Sequence, residues 1–481
     1  MEQRRRRRRK PSSNQANIHD RDINLSTSPP PPPPRVPGWM DPPLPPPPPA
    51  TTNATWLILD RFVHYSRRRR GVIGGDATTS SLAEDCAGRH VRVSLRIADP
   101  PAISRLYLHW PGRPHTDLPF SKPIAIAAHR SSILFRMTVP FDDNTWWHDT
   151  PSFPVEHFVY SSPSSPSSLS PPSLISLPPC FYGGDVDPVL DKFFRQHRRQ
   201  RQRIMFNAEM GILCHGGDSF TVAHLCHYKL ELCLLHHVPL VGVAMEWSLY
   251  KLQISPDMKI DLDSWRTDVV VPIGTSLCWV DYYQGMLLVD VLGDHRQVHG
   301  IRLPAQALNK CRRRYNDAGD PDPFRHVGGT DDGIIKLVCV FVKDPPSGDD
   351  FKIVTWTLVD IGKGTWRKDV DTIMRADEFF GVIYSSAAQS CLPRVQPSFP
   401  VMSLVDPDVI CFLLIKEEDC NRTWMVEVNM RCKLLLSSAL YINEEEEEGH
   451  PSEKDCTKGF YGHYFIPTNF SSYSSKDAIT R

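Results

Sequence analysis

His224, Cys226, His227, Cys233, His236 and His237 crowd into one stretch, HLCHYKLELCLLHH, the densest run of soft-metal ligands in the chain. Zinc needs four such groups converging, commonly from CxxC or HxxxH spacings on turns. This stretch reads as a strand, and a strand sends alternate residues to opposite faces. His224 and Cys226 then share one face and His227 takes the other. No second cluster supplies the missing ligands in a recognisable spacing, so these are expected to be ordinary strand and loop residues and no metal site is assigned.

The second chemical candidate begins at Cys278: CWVDYYQGMLLVDVL. It places Trp279, Asp281, Tyr282 and Tyr283 together, then Gly285, then an apolar run ending in Asp290. Aromatics beside carboxylates suit a sugar site, or an acid/base pair if burial raises one pKa. They also suit a strand–turn–strand corner. The same grammar recurs downstream: Trp356 precedes Asp360 in VTWTLVDI, and Trp424 precedes Glu427 and Asn429 in TWMVEVNM. Recurrence argues against one unique site. In the corner reading Gly285 permits the turn, Met286, Leu288 and Val291 or their alternates supply core, Trp279 packs as an anchor, and Asp281 and Asp290 accept turn amides.

Other chemistry finds no motif. There is no Gly-x-Ser-x-Gly elbow and no protease-type Cys motif, and turn chemistry explains GGDSF at 216–220. HVGGTDDG and GVIGGD lack both the Lys-Ser/Thr of a phosphate-binding loop and a strand-to-helix setting. No catalytic, cofactor-binding or metal-ligating residue is assigned, and no cofactor is expected.

The elements around these candidates read as β. Hydrophobic residues make up 41% of the 481 and aromatics 10%, enough for a large core. HVRVSLRIA (90–98) alternates, with Val91, Val93, Leu95 and Ile97 on one face, and SRLYLHW and SSILFRMTV follow the same pattern. Further strand-like runs are FTVAHLC, WSLYKLQI, IIKLVCVFV, FKIVTWTLVDI and VICFLLIK. RADEFF and PAQALNKCRRRYND are expected as short helices, and the basic segment 191–205 as a possible one. The step from Asp290 to Asp360 to Glu427 is nearly even, a sign of a propeller or another radial β array. A two-sheet sandwich would also give Trp-bearing alternating strands.

Residues 1–50, with an Arg run (Arg4 to Arg9) and polyproline blocks, are expected to be a disordered tail. Ser/Pro-rich residues 161–179 read as a flexible insert, and 446–481 as a polar C-terminal tail. The 45 prolines concentrate in such segments. The formal net charge is zero, so any nucleic-acid contact would have to be local, from the basic patches at 67–70, 195–203 and 312–314. No secretory or membrane-spanning pattern is recognised, and the 13 cysteines are scattered without CxxC pairs. An intracellular location, cytoplasm or nucleus, is the expectation, with the Arg run a weak import signal.

The segment WVDYYQGMLLVDVLGDHRQVHGIRLP (279–304) resembles the hallmark of a plant family, large in grasses, classed as domain of unknown function 1618. The matching elements are Trp279-Val280-Asp281, Gly285-Met286-Leu287, Asp290-Val291-Leu292 and Leu303-Pro304. The resemblance covers most of 55–445 and is most specific over 279–410. It implies no assigned activity. The expectation is a mainly β, propeller-like or related multi-sheet architecture with a disordered N-terminal tail, acting as a non-catalytic scaffold for a protein partner. The alternatives are an enzyme acting on a sugar or small metabolite, with Trp279, Asp281 and another acid converging in a central cavity, and a nuclear nucleic-acid-associated protein.

Overall fold

The computed structural model describes residues 56–65, 78–111, 122–139, 155–162, 171–181, 203–216, 218–239, 244–255, 258–294, 296–308, 322–342, 350–385, 392–416, 423–441 and 462–469. The Arg/Pro tail and the basic patches at 67–70 and 312–314 lie outside these residues, as does 195–202 of the third patch and of the expected helix.

The described strands form six small sheets, each a blade. The first contains β1 (Leu57–Leu59), β2 (His64–Tyr65), β3 (Ala83–Glu84), β4 (His90–Arg96) and β5 (Ile103–His109). The second is β6 (Ile124–His129), β7 (Ser132–Thr138), β8 (Val155–Ser161) and β9 (Ser173–Ser176). The third is β10 (Met210–Gly216), β11 (Ser219–Cys226), β12 (Glu231–His237) and β13 (Trp247–Lys251). The fourth holds β14 (Gln253–Ile254), β15 (Val269–Ile273), β16 (Ser276–Asp281), β17 (Gly285–Asp290) and β18 (Gln297–Arg302), followed by α1 (Ala305–Leu308). The fifth is β19 (Arg325–Gly329), β20 (Ile335–Val342), β21 (Phe351–Asp360) and β22 (Thr365–Arg375), followed by α2 (Ala376–Ile383). The sixth is β23 (Ser398–Met402), β24 (Val409–Leu414), β25 (Thr423–Asn429) and β26 (Leu434–Tyr441), and β27 (Ile466–Thr468) comes last.

Blades two, three, five and six are plain antiparallel meanders. Blade four adds β14 parallel to β18 at its outer edge. WSLYKLQI, read as one strand, is thus divided between the outer edges of blades three and four. The innermost strands β6, β10, β15, β19, β23 and β27 each touch the next, and β27 returns to β6. This is a closed six-bladed β-propeller, and it excludes the two-sheet sandwich. Radial repetition leaves each blade only its short outer strand as an edge.

The ring is closed by chain ends. β27 pairs antiparallel with β1, Leu57 opposite Thr468 and Leu59 opposite Ile466, and supplies the inner strand of blade one. Residues 446–481, expected as a polar tail, therefore contain a strand of the ring. It was illegible because only three residues pair, and one of them is Pro467. Likewise Ser173–Ser176, inside the expected flexible insert, form the outer strand of blade two, with Leu174 and Leu177 buried.

Six hydrophobic layers lie between successive blades among the described residues. Side chains alternate along each strand, so each blade feeds the layer before it and the layer after it. Trp279 packs back against blade three, Trp356 against blade four and Trp424 against blade five. The recurring Trp corners are inter-blade anchors. α2 belongs to the layer between blades five and six through Phe379 and Phe380, and its start is capped where Glu378 Oε2 accepts the Arg375 amide at 2.9 Å.

Candidate functional site

Five of the six inner strands, β6, β15, β19, β23 and β27, line a cavity of about 110 Å³. These strands carry small residues, IAIAAH, VVVPI and RHVGG, because their side chains converge on the axis. At Gly328 a Cβ would lie 2.9 Å from His326 Nε2, so glycine is what leaves room for the imidazole.

The polar lining is mixed. His326 is buried, its Nε2 has no hydrogen-bond partner among the described residues, and burial lowers its pKa to about 4. His129 is also lowered to about 4, by burial and then by Arg130, and its Nδ1 accepts the Cys214 amide at 2.8 Å. Both rings are neutral at pH 7. Arg325 is buried and donates to the carbonyls of Tyr282 and Ala307. Asp322 accepts from the Tyr283 hydroxyl at 2.5 Å. At one mouth Asn469 donates to Asp331, near Arg130 and Thr330.

The sequence candidates sit elsewhere. Trp279 is fully buried between blades, and its Nε1 donates to the Glu209 carbonyl at 2.8 Å. Asp281 is fully buried at the end of β16. Its carboxylate accepts the amides of Tyr283 at 2.8 Å and Arg266 at 2.9 Å. Asp290 accepts the Leu292 and Gly293 amides. Trp279 and Asp281 do not line the cavity, so the geometry an acid/base site at this corner requires is not formed. Tyr282 alone of that stretch lines it.

Two details of the corner differ from expectation. The turn is Tyr282–Gln284, and Gly285 opens β17, where a Cβ would meet the Ile301 carbonyl oxygen at 2.4 Å. Close approach of β18, not turn geometry, requires glycine. Gly285→Ala is expected to destabilise the fold by about 1–3 kcal/mol, the cost of overpacking, read as a lower urea midpoint at unchanged slope. The residue equivalent to Asp290 and Asp360 is Asn429, whose Oδ1 accepts the Arg431 and Cys432 amides, as Asp360 accepts that of Lys363. Glu427 is mid-strand, bonded to Ser437, with its pKa raised by burial.

The His/Cys stretch divides. His236 bonds Thr221, and His237 packs tilted against the Phe220 ring at 4.8 Å between centroids. His224 and Cys233 are direct cross-strand partners on β11 and β12. Glu209, from the linker before β10, reaches His224 Nε2 at 3.2 Å and His227 Nδ1 at 3.2 Å. No group of three or more ligands is placed to hold a metal among the described residues. Sequence reading missed Glu209, and it missed His129, Asp322, Arg325, His326 and Tyr464 in the cavity. No local signal marks them, since only the ring brings them together.

The face on which the first and third turns of each blade emerge carries a distinct feature. Val238 follows the third strand of blade three and Leu292 that of blade four. In blade five Val359 lies near the end of the third strand and Ile361 in the turn that follows. Val405 lies in the first turn of blade six and Leu434 after its third. All six are exposed, Val405 by 59% and Leu434 by 53%. Polar links fix these turns to their neighbours: His299 Nε2 lies 3.0 Å from the Ile361 carbonyl, and Arg431 Nε lies 2.5 Å from Asp408 and its Nη1 3.5 Å from Asp371.

Residues 279–411 match a family described as a protein of unknown function, DUF1618. The DUF1618 match runs from Trp279 in β16 to Cys411 in β24, so it takes in the second half of blade four, all of blade five and the start of blade six. A comparison with curated proteins finds no match. Solved structures similar to this chain include a putative 6-phosphogluconolactonase from Bacteroides uniformis, at 10% identity and TM-score 0.33 over 78% of this chain and 88% of that one. A second, from Bacteroides fragilis, gives 10%, 0.32, 82% and 97%. Sqt1 of Saccharomyces cerevisiae gives 9%, 0.27, 69% and 64%.

Proposed function

We propose that this DUF1618 propeller is a protein-binding platform whose docking face carries the first and third turns of the blades. The observation that carries this reading is the series Val238, Leu292, Val359, Ile361, Val405 and Leu434, exposed on one face across four successive blades. Single exposed apolar residues are ordinary, but a series on one face of rigid hairpins is what a binding surface presents. The partner it suits is a protein with an apolar segment. Free thiols at all nine described cysteines support a reducing, intracellular setting.

The test pairs two variants of the full chain, V359E/I361E/V405E on this face and Tyr228→Glu on the other, both checked by circular dichroism. Proteins captured by wild type are identified, and binding of each purified candidate is measured by calorimetry. The triple variant should bind at least about tenfold more weakly, since apolar anchors at an interface each contribute on the order of 1–2 kcal/mol. Tyr228→Glu should bind as wild type. Equal binding by the triple variant, or loss only in Tyr228→Glu, would overturn the reading.

A further inference from the structure

Blade two carries a cation that nothing among the described residues neutralises. Arg136 lies near the end of β7, and its direct cross-strand partners are Ile124 on β6 and His157 on β8. Its chain neighbours Phe135 and Met137 are buried in the layer between blades one and two. Alternation turns Arg136 the other way, toward blade three, on the side of Leu134 and Val159. Directly opposed residues on one face have Cβ atoms about 5 Å apart, so Arg136 and His157 stand side by side. Both are half-buried, so each keeps some contact with solvent. They lie toward the end of the blade from which its second turn leaves, away from the apolar docking face.

A guanidinium offers five N–H donors. The Arg136 Nε is enclosed and has no acceptor, and no carboxylate among the described residues pairs with the side chain. The neighbouring acids are committed elsewhere. Glu156, next to His157 in the chain, accepts the Cys86 amide at 2.9 Å. Glu209 holds His224 and His227, each at 3.2 Å. Asp60 holds His463 and Tyr441. The His157 Nε2 is itself enclosed without a partner. More positive charge comes from Arg61. Its carbonyl accepts the amide of Ala125, the residue after Ile124, at 2.7 Å, and its guanidinium lies over the Tyr464 ring at 4.6 Å. Charges withdrawn from water are ordinarily paired, and an enclosed donor without an acceptor calls for a water or an ion.

We infer that Arg136, with His157 and Arg61 beside it, forms a binding site for a phosphate group, supplied by inorganic phosphate or by a small phosphate monoester.

The electrostatics agree. Burial, and then Arg61, lowers the Arg136 pKa to about 10, so the group is charged at pH 7. Burial, and then Arg136 and His224, lowers that of His157 to about 3, so the ring is neutral there. A guanidinium fork matches two oxygens of a phosphate or a carboxylate. The phosphate carries about −1.5 to −2 charge at pH 7 and so answers both guanidinium groups, where a carboxylate answers one.

The full chain is melted in millimolar phosphate and in chloride of equal ionic strength. Binding is measured by calorimetry with inorganic phosphate, glycerol 3-phosphate and acetate as separate probes. Phosphate strengthens burial in any protein by being excluded from its surface. The response of Arg136→Met, which keeps an apolar stem and removes the fork, is therefore the baseline. Wild type should gain more in melting temperature than this baseline and bind phosphate saturably. Arg136→Met and the acetate probe should each show binding weaker by about tenfold or more. In chloride Arg136→Met should melt no lower than wild type, because an unpaired charge has been removed. Tighter binding of glycerol 3-phosphate than of inorganic phosphate assigns a monoester as the source, and the reverse order assigns inorganic phosphate. The His157 ring resonance, identified by its loss in His157→Gln, should move as phosphate is added to wild type. Arg92→Gln, at an exposed position on blade one, should bind as wild type. The inference is overturned if wild type shows no saturable phosphate binding or no movement of the His157 resonance. It is also overturned if Arg136→Met binds phosphate equally well, or melts below wild type in chloride.

Discussion

Replacing Asp60 with alanine should destabilise the propeller by about 3–5 kcal/mol, the cost of removing one partner from a buried charge network. Asp60 is fully buried just after β1. Its Oδ1 lies 3.0 Å from His463 Nε2, and its Oδ2 accepts the Tyr441 hydroxyl at 2.9 Å. Arg105 Nε and His64 Nε2 approach Oδ2 at 3.5 Å and 3.6 Å. One carboxylate thus ties blade one to the last strand of blade six and to the segment leading into β27. Burial would raise its pKa, but His463 and His64 outweigh burial and hold it well below 3.8. A depressed carboxylate stabilises the fold at every pH above its unfolded value, and that contribution is lost as pH falls through the folded value. The difference in unfolding free energy between wild type and Asp60→Ala, measured in urea, should therefore persist at pH 5 and be lost as pH falls below about 4. The double variant with His463→Ala should lose less than the two single losses combined, because the two share one interaction. A difference that vanished already at pH 5 would refute this role for Asp60.

Trp279→Ala is expected to cost about 3–5 kcal/mol for the same measurement. The side chain is among the largest fully buried ones and fills the layer between blades three and four with Leu213, Leu225 and Leu277. Its loss leaves a cavity and also deprives the Glu209 carbonyl of its 2.8 Å donor. Trp279→Phe keeps most of the volume and loses that donor, and should cost about 1–3 kcal/mol.

Strand content was legible because alternation needs only a two-residue period. In VRVSLRI, Val91, Val93 and Leu95 are buried as the pattern requires, and Ile97 packs at the edge of the same layer. The roles of Asp281, Asp290 and Asp360 were legible for a related reason, since a short acid at a strand end has turn amides within two or three residues. Glu427 was misread because even spacing was followed in place of the turn, and β25 ends at Asn429. The cavity was not legible at all. His129, Arg325 and His326 come from inner strands of different blades, and nothing in IAIAAH or RHVGG says which strand of a hairpin lies innermost.

The sequence by itself determined a mainly β chain of repeated strand–turn–strand units, the Trp anchors and acid caps of its corners, and a match to DUF1618 over residues 279–411. These follow from contacts made within a few residues or across one hairpin. Only the tertiary structure decided the blade number, the closure by β27, the Asp60–His463 tie and the Glu209–His224 pair. Asp60 and His463 are 403 residues apart in the chain. Such partners meet because the hydrophobic layers between blades stack into a ring, and that is a property of all six blades together.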